Sequence, residues 1–259
     1  MLEWYQKNKR DLPWRRTKDP YKIWVSEMML QQTQVERVIP KYRAFLKKFK
    51  TVQKLSKASL GDVLLLWQGL GYNRRGKMLH QCAQIVVKDY KGVFPQLECE
   101  LQKLPGIGTY TSSAMVAFAF NAPTSLIETN VRTVYLHHFF SEVEEVTDAE
   151  ILEIITRTRD EKKSREWYYA LMDYGSHLKK EYRNLNTKSA HYTKQSSFKG
   201  SDRQIRGAVI RSLSKLSKTR KALLAELSSF EDIRVDAQVE KLEQEEMVVY
   251  KNKKYSLPS

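Results

Sequence analysis

Leu104–Gly108, with the sequence LPGIG, is the stretch that decides the fold. It lies between two segments in which apolar residues recur at helical spacing, 97–103 and 109–120, so we predict a turn that joins two helices. Its glycines, Gly106 and Gly108, permit positive φ angles and a close approach of the backbone to another molecule. The free N–H groups that begin the second helix are suited to phosphate anions. The same residues also fit a helix turn that binds nothing.

A single carboxylate follows this turn after the predicted second helix. Glu128 lies 20 residues after Gly108, just beyond the predicted second helix. A phosphate-bearing chain held at the turn would therefore lie near a negatively charged side chain.

The composition favours a nucleic acid as the partner. The 259 residues carry a net charge of +15, which is a reason to expect a polyanion. Hydrophobic residues make up 41% of the chain, enough for a core, and no apolar run is long enough for a membrane span. The N-terminus lacks the apolar segment of a signal peptide, and two cysteines, Cys82 and Cys99, cannot form a disulfide framework. We expect a cytoplasmic protein that contacts no membrane.

The apolar spacing predicts a mainly α fold with an organisation in three parts. Residues 1–180 form a helical domain, 181–199 a basic polar loop or linker, and 200–259 a small C-terminal domain. The helices predicted in the first domain, besides the pair at the turn, are Val25–Phe49, Leu60–Leu66, Gly76–Asp89 and Ala149–Arg157.

The C-terminal domain has the pattern of a winged helix. Three predicted helices, Ile205–Leu216, Arg220–Leu227 and Ile233–Met247, precede a hairpin around Lys251–Lys253. A plain helical cap on the first domain is the alternative. The third helix is acidic, so the hairpin lysines Lys251, Lys253 and Lys254 are better candidates for DNA contact, and the domain can equally bind protein.

A second carboxylate, Glu27, lies in a strongly apolar stretch, Ser26–Val35. Burial raises the pKa of a carboxyl group, so Glu27 can hold a proton near neutral pH. The alternative is a glutamate that only pairs within the core.

Cleavage of an N-glycosidic bond needs one protonated acid and one ionised acid, because the leaving base takes up a proton and the sugar becomes cationic. The base must also leave the DNA stack first.

Five sequence blocks together resemble the MutY-type adenine DNA glycosylases of the helix-hairpin-helix (endonuclease III-like) superfamily. They occur in the family's order between Trp4 and Gly175: Leu12–Trp14, Ser26–Val35, Leu66–Tyr72, Leu104–Gly108 and Asn130–Arg132. The resemblance implies a two-lobed glycosylase fold, followed here by the winged-helix-like domain. It also implies double-stranded DNA with a mispaired or damaged base as the substrate, and we expect a monomer.

The resemblance assigns roles residue by residue. Glu27 corresponds to the acid that protonates adenine, and Glu128 and Asn130 lie where the family has Asp-Gly-Asn. Tyr110 lies where bifunctional relatives have a Schiff-base lysine, so no lyase step is expected. The DNA contacts implied by the resemblance and by the turn are Gln31, Gln32, Thr33, Tyr72, Leu104, Gly106, Gly108 and Thr109.

Three departures from the family pattern change these expectations. Glu128 replaces an aspartate, which keeps the charge but moves it by about a bond length. The four cysteines that hold an iron–sulfur cluster in most members are missing, so we expect no such cluster. The lysine-rich loop at 180–200 is expected to take over its structural role. A helical domain stands in place of the family's MutT-like domain, which senses 8-oxoguanine.

The sequence therefore predicts a monofunctional glycosylase that removes adenine mispaired with guanine or 8-oxoguanine. Two alternatives stay open: a glycosylase for mismatched thymine or uracil or for a deaminated purine, and a catalytically silent DNA-binding protein. No histidine cluster suited to a metal is recognised, and carbonyl groups of the Leu104–Gly108 turn can hold a structural Na⁺ or K⁺.

Overall fold

The computed structural model describes residues 1–182, 184–190, 192–193 and 197–259. Helices dominate these ranges, and two short strands form a C-terminal hairpin, which confirms the prediction of a mainly α protein. The elements are α1 (Leu2–Asn8), α2 (Pro20–Leu30), α3 (Val35–Lys48), α4 (Val52–Ser56), α5 (Leu60–Trp67), α6 (Arg74–Asp89), α7 (Glu98–Leu101), α8 (Thr109–Met115), α9 (Thr129–Phe139), α10 (Asp148–Thr158), α11 (Ser164–Glu181), α12 (Asp202–Leu213), α13 (Arg220–Glu226), α14 (Asp232–Gln244), β1 (Val249–Lys251) and β2 (Lys254–Ser256). Short 3₁₀ turns lie at Pro13–Arg16 and Leu185–Lys188, and a π turn continues α8 over Val116–Phe120.

The first of two compact units consists of residues 1–27, 95–103 and 107–193. Its core is built around α9 and α11, which bury Tyr135 and Tyr168 almost completely. These two helices approach closely at Gly175, where an added Cβ atom would come within 2.1 Å of the Asn130 carbonyl oxygen. The absence of a side chain at Gly175 is therefore what allows α9, the helix that follows Glu128, to lie against α11.

The second compact unit consists of residues 28–94, 104–106 and 197–259. Helices α12 and α14 pack on each other, and α12 also contacts α5. Leu64 of α5 shares a core with Ile205, Val209, Val235 and other apolar residues of the C-terminal helices. The C-terminal segment is thus part of a larger compact unit, while the predicted domain boundaries at residues 180 and 199, which rest on composition, stay predictions.

The C-terminal segment has the predicted order of elements. Helices α12, α13 and α14 are followed by the antiparallel pair β1 and β2, in which Tyr250 lies opposite Tyr255. Asn252 and Lys253 both have positive φ angles, 53° and 60°, as a tight two-residue hairpin turn requires. Three helices and a hairpin are consistent with a winged helix, and that assignment stays a prediction.

One prediction about local structure was wrong. The single helix predicted over Val25–Phe49 is broken, because α2 ends at Leu30 and α3 begins at Val35. Gln32 between them has a φ of +52°, a left-handed conformation that no α-helix contains. The sequence pattern does not predict the long helix α11, since its buried face mixes aromatic residues with Ser164, Asp173 and Gly175 rather than repeating aliphatic ones.

The described part of the predicted loop or linker makes ordered contacts with the first unit. Asn186 is buried and donates a hydrogen bond to the Thr133 hydroxyl of α9 at 2.8 Å. The backbone of Val146 forms a bridge with Ser189. Residues 183, 191 and 194–196 of this loop lie outside the described residues.

Candidate active site

The catalytic acid predicted from the sequence, Glu27, is buried near the C-terminal end of α2. Its residue is 4% exposed, and its carboxylate oxygen Oε2 accepts a hydrogen bond from the Tyr110 hydroxyl at 2.8 Å. Burial raises the pKa of Glu27, the bond from Tyr110 lowers it, and the negative charge of Glu128 raises it again. The net result is a pKa of about 7, so Glu27 holds a proton at neutral pH in a substantial share of molecules.

Tyr110 is the second residue of α8 and faces the same carboxyl group. Burial, together with the nearby charges of Glu27 and Glu128, raises the pKa of its phenol well above the ordinary value. Tyr110 therefore stays protonated and serves Glu27 as a donor. A phenol held in this state is a poor nucleophile, and the absence of a lyase step stays a prediction.

Glu128, the second predicted carboxylate, caps the N-terminus of α9. Its Oε1 atom accepts a hydrogen bond from the Val131 N–H at 3.0 Å, and its Oε2 atom accepts one from the Asn130 side chain at 3.3 Å. The N–H groups at a helix start stabilise a negative charge. The predicted catalytic pair of Glu128 and Asn130 is thus brought together by one helix cap.

Lys179 of α11 supports this cap and was not predicted. Its ammonium group donates a hydrogen bond to the Asn130 side-chain oxygen at 2.9 Å. Burial lowers the pKa of Lys179, while the charge of Glu128 opposes that shift. The only sequence signal is its position one helical turn beyond Gly175, on the helix that packs against α9.

Arg15 and Asp173 form a buried ion pair close to Glu27. The Arg15 guanidinium donates two hydrogen bonds to the Asp173 carboxylate, at 2.6 and 2.8 Å, and Arg10 donates two more through its backbone and side chain. Burial would raise the pKa of Asp173, but these bonds outweigh it and leave that pKa below its ordinary value. Arg15 follows the Leu12–Trp14 block directly, and its charge also lowers the pKa of Glu27.

A cavity of about 410 Å³ in the first unit is lined by Arg15 and Tyr169. Both residues interact electrostatically with Glu27, and the Arg15 guanidinium lies 4.6 Å from the centre of the Tyr169 ring. Tyr5, Lys9 and Asn121 also line this cavity. The cavity therefore offers an aromatic face and a cation within electrostatic range of the acid.

The predicted DNA contacts that follow α2 lie in the second unit. Gln32 and Tyr72 both have left-handed backbones, with φ angles of +52° and +46°, and the Thr33 hydroxyl donates a hydrogen bond to the Leu70 carbonyl at 3.2 Å. The side chain of Gln31 lies within 3.8 Å of the Met28 sulfur. These four predicted residues thus belong to two adjoining turns, 31–34 and 69–73.

Arg75, which sequence reasoning missed, joins these two turns. Its buried guanidinium donates hydrogen bonds to the carbonyl groups of Met28, Leu70 and Gly71 and to the Thr33 hydroxyl. Burial lowers the pKa of Arg75 to about 10, so it remains charged at neutral pH. The one indication in the sequence is that Arg75 follows the glycine-rich turn closely. The sequence alone does not distinguish such a buried arginine from an arginine on the surface.

The turn Leu104–Gly108 joins α7 to α8 as predicted, but its two glycines differ. Gly106 has a φ of +77°, and an added Cβ atom would come within 2.9 Å of the Met78 side chain. Gly108 has a φ of −90°, so of the two glycines that permit positive φ angles only Gly106 adopts one. Gly108 instead caps α8 in an extended conformation with open space around it. Gly108 and Thr109 are exposed, whereas Leu104 is buried.

A comparison with protein families matches residues 25–157 to the HhH-GPD superfamily of base excision DNA repair proteins. That match covers just over half of the chain. The chain belongs to the HhH-GPD superfamily. The matched region contains Glu27, Tyr110 and Glu128, whereas Lys179 and the C-terminal helices lie outside it.

Within the HhH-GPD superfamily, curated relatives named adenine DNA glycosylase are similar to this chain. The protein of Buchnera aphidicola subsp. Baizongia pistaciae is 41% identical over 140 residues, which cover 54% of this chain and 40% of that protein. The human protein is 44% identical over 143 residues, 52% of this chain and 26% of that protein. The chain thus matches less than half the length of these relatives. The similarity confirms the MutY-type resemblance recognised in the motifs.

Solved structures share the HhH-GPD fold. A thermostable thymine-DNA glycosylase superposes with a TM-score of 0.63 at 28% identity, covering 68% of this chain and 82% of that chain. A trapped endonuclease III–DNA covalent intermediate gives a TM-score of 0.57 at 17% identity and supports the fold alone. The predicted helix-hairpin-helix glycosylase fold is therefore confirmed.

Proposed function

We propose that this protein is a monofunctional DNA glycosylase that hydrolyses the N-glycosidic bond of adenine mispaired with guanine or 8-oxoguanine. The observation that carries this proposal is the pair of carboxylates in the first unit. Glu27 is buried with a pKa of about 7, and Glu128 is a helix cap whose negative charge raises that pKa. Two carboxylates in different environments are suited to act as acid and as anion.

In the proposed reaction, protonated Glu27 donates its proton to the leaving adenine, at N7 by resemblance to the family. The C1′–N9 bond breaks, and its electron pair goes to the base. The sugar becomes an oxocarbenium ion, which the carboxylate of Glu128 stabilises. Water adds to C1′ and gives up one proton to Glu128, from which it returns to solvent. Glu27 then takes a proton from solvent, and the abasic strand is released.

The resident groups support hydrolysis without a covalent step. Tyr110 occupies the place where bifunctional relatives have a lysine, and its phenol is held protonated. The chain's two cysteines, Cys82 and Cys99, are fewer than an iron–sulfur cluster needs, so we propose that no such cluster is bound.

The proposal includes a structural Na⁺ or K⁺ ion bound by carbonyl groups of the Leu104–Gly108 turn. No helix among the described residues is long and apolar enough to cross a membrane. We further propose that the protein is cytoplasmic and monomeric.

A thymine-mismatch glycosylase is the second candidate. The thermostable thymine-DNA glycosylase, 28% identical to this chain, is the observation that favours it. The acid role proposed for Glu27 is an argument against a thymine substrate, because a pyrimidine has no N7 atom that a buried acid could protonate.

Single-turnover base release tests the proposal on duplexes that carry A:8-oxoG, A:G, T:G, U:G and hypoxanthine:T. We expect adenine to be released from the first two. Glu27→Gln and Glu128→Gln should each slow release by orders of magnitude while DNA binding survives, and the exposed Glu3→Gln variant should behave as the wild type. Release of thymine would favour the second candidate, and tight binding without any release would assign the chain to the DNA-binding proteins.

A further inference from the structure

The cavity of about 410 Å³ that Arg15 and Tyr169 line in the first unit is strongly basic. Four of the described residues that line it are cationic and one is acidic: Lys9, Arg15, Lys163 and Arg165 against Glu166. The proposed catalytic carboxylates, Glu27 and Glu128, are not among these lining residues. Asn121 is the only lining residue within the segment 25–157 that matches the HhH-GPD superfamily. The charge of the cavity therefore comes from the flanks of the matched segment.

Three of the four cations have no carboxylate partner. No ion pair among the described residues involves Lys9, Lys163 or Arg165. Arg165 instead donates hydrogen bonds to the carbonyl groups of Phe118 and Ala119, at 2.5 and 2.9 Å. These bonds hold its guanidinium in place without neutralising it. Cations that line one cavity without counter-ions repel one another, and a bound anion relieves that repulsion.

The fourth cation, Arg15, has a donor to spare. Its Nη1 and Nη2 atoms donate hydrogen bonds to the Asp173 carboxylate at 2.6 and 2.8 Å, so Asp173 occupies the end of the guanidinium. The Nε atom belongs to the side edge and is buried without a hydrogen-bond partner among the described residues, although the Tyr5 hydroxyl lies close to the guanidinium. A buried donor without an acceptor costs free energy, which an oxygen atom of a ligand can recover.

The arrangement of the donors favours a tetrahedral oxyanion. They come from three segments of the first unit: Lys9 directly follows α1, Arg15 lies in the first 3₁₀ turn, and Arg165 is in the first turn of α11. A phosphate group presents acceptor oxygens in several directions, whereas a carboxylate presents two oxygens in one plane. The Tyr169 ring is already contacted by Arg15 and Phe118. Charge and hydrogen bonds, rather than stacking on Tyr169, must therefore hold the ligand.

We propose that this cavity is a binding site for a phosphate group, held by the three unpaired cations and the Nε donor of Arg15. Two sources supply a phosphate group: free phosphate in solution and the backbone of a nucleic acid. The negative charge of Glu166 lowers the affinity for either one. The binding of phosphate here does not depend on the proposed base release, so each can fail without the other.

Equilibrium dialysis of the full chain against labelled inorganic phosphate, at an ionic strength fixed with NaCl, measures the binding directly. We expect saturable binding to the wild type below about 10 mM phosphate. The double variant Lys9→Gln/Lys163→Gln should bind phosphate more weakly by about tenfold or more, because two cations near the anion are lost. Both lysines are exposed, so the variant should fold.

The matched control is Lys7→Gln/Lys162→Gln. It removes the same charge from the same two stretches of the chain, at exposed lysines that do not line the cavity. Its affinity for phosphate should lie within about twofold of the wild type, because salt screens charges that do not contact the anion.

Glu166→Gln tests the site in the opposite direction. The loss of the only acidic side chain among the described lining residues should tighten phosphate binding by about threefold or more. The exposed Glu3→Gln of α1, which does not line the cavity, should leave the affinity unchanged. An equal affinity in Glu166→Gln and Glu3→Gln would contradict the proposal.

DNA binding by the same variants distinguishes the two sources of phosphate. Free phosphate is the ligand if Lys9→Gln/Lys163→Gln lowers the affinity for a duplex no more than its control does. The backbone is the source if the cavity variant loses more affinity than its control and the duplex displaces labelled phosphate from the wild type. The proposal is overturned if the wild type shows no saturable phosphate binding, or if the folded cavity variant and its control bind phosphate equally.

Discussion

At the scale of single residues, the proposed activity of this protein depends on the proton of Glu27. The apolar stretch around Glu27 was enough to predict a raised pKa. The structure adds the groups that set it, the Tyr110 hydroxyl at 2.8 Å and the charges of Glu128 and Arg15. Because these groups act in opposite directions, each can be removed to move the pKa in a known direction.

The rate of base release should depend on pH through Glu27. The acid must be protonated to donate, and its pKa is about 7, so we expect the rate to fall above that pH by about tenfold per unit. Tyr110→Phe removes the hydrogen bond that lowers this pKa. The pKa of Glu27 should therefore rise, and the alkaline decline should move to higher pH in single-turnover rates between pH 5 and 9. A decline that stays in place would contradict this role of Tyr110.

Glu27 should also lower the free energy of unfolding as the pH rises from about 4.5 to about 7. Its pKa is raised from 4.5 in the unfolded chain to about 7 in the fold, so the folded form loses stability as pH rises through that interval. Glu27→Gln cannot ionise. Its advantage in the free energy of unfolding over the wild type should grow by about 2 to 3 kcal/mol between pH 5 and pH 8. Urea unfolding measures it, with the exposed Glu3→Gln as the control, and an advantage independent of pH would be the contrary result.

At the scale of elements, the packing of α9 on α11 places the second carboxylate. Glu128 caps α9, and Asn130 in its first turn takes a hydrogen bond from Lys179 of α11. Gly175 is the point of closest approach between the two helices. The position of Glu128 therefore depends on a glycine 47 residues further along the chain, and this dependence is not visible in the sequence around Glu128.

Gly175→Ala should impair both stability and base release. The new Cβ atom would lie 2.1 Å from the Asn130 carbonyl oxygen, so α9 must move away from α11. Overpacking of this kind costs about 1 to 3 kcal/mol, and the displaced Glu128 should slow base release by about tenfold or more. Thermal unfolding of Gly207→Ala, which meets no neighbouring atom, is the stability control. Wild-type stability and rate in Gly175→Ala would refute this account.

At the scale of the whole molecule, the charge of +15 should govern affinity for DNA. Each phosphate contact lowers the logarithm of the binding constant by about 0.9 per tenfold increase in salt. The exposed hairpin lysines Lys251, Lys253 and Lys254 remain the candidates for such contacts in the C-terminal segment.

Replacement of these three lysines by alanine should reduce the salt slope of DNA binding by about 2 to 3. The matched control replaces Lys47, Lys50 and Lys54, which are also exposed and lie outside the C-terminal segment. Anisotropy titrations over a range of salt concentrations measure both slopes. Equal slopes in the hairpin variant and the wild type would exclude the hairpin from the DNA interface.

The sequence by itself determined the helical class, the turn Leu104–Gly108, the two carboxylates and the family, because spacing, glycine placement and short motifs are local properties of the chain. Local patterns also predicted the elements at the C-terminus. They failed at Gln32, where a left-handed residue breaks a continuous apolar pattern.

Only the tertiary structure decided which groups meet. Tyr110 reaches Glu27 from 83 residues away, Lys179 reaches Asn130 from 49, and Arg15 reaches Asp173 from 158. The shift in the pKa of Glu27, the support of Glu128 and the placement of Arg15 at the basic cavity all arise from such pairs. Contacts of this kind depend on how helices pack, and packing is set by the summed burial of many side chains rather than by the residues near any one of them.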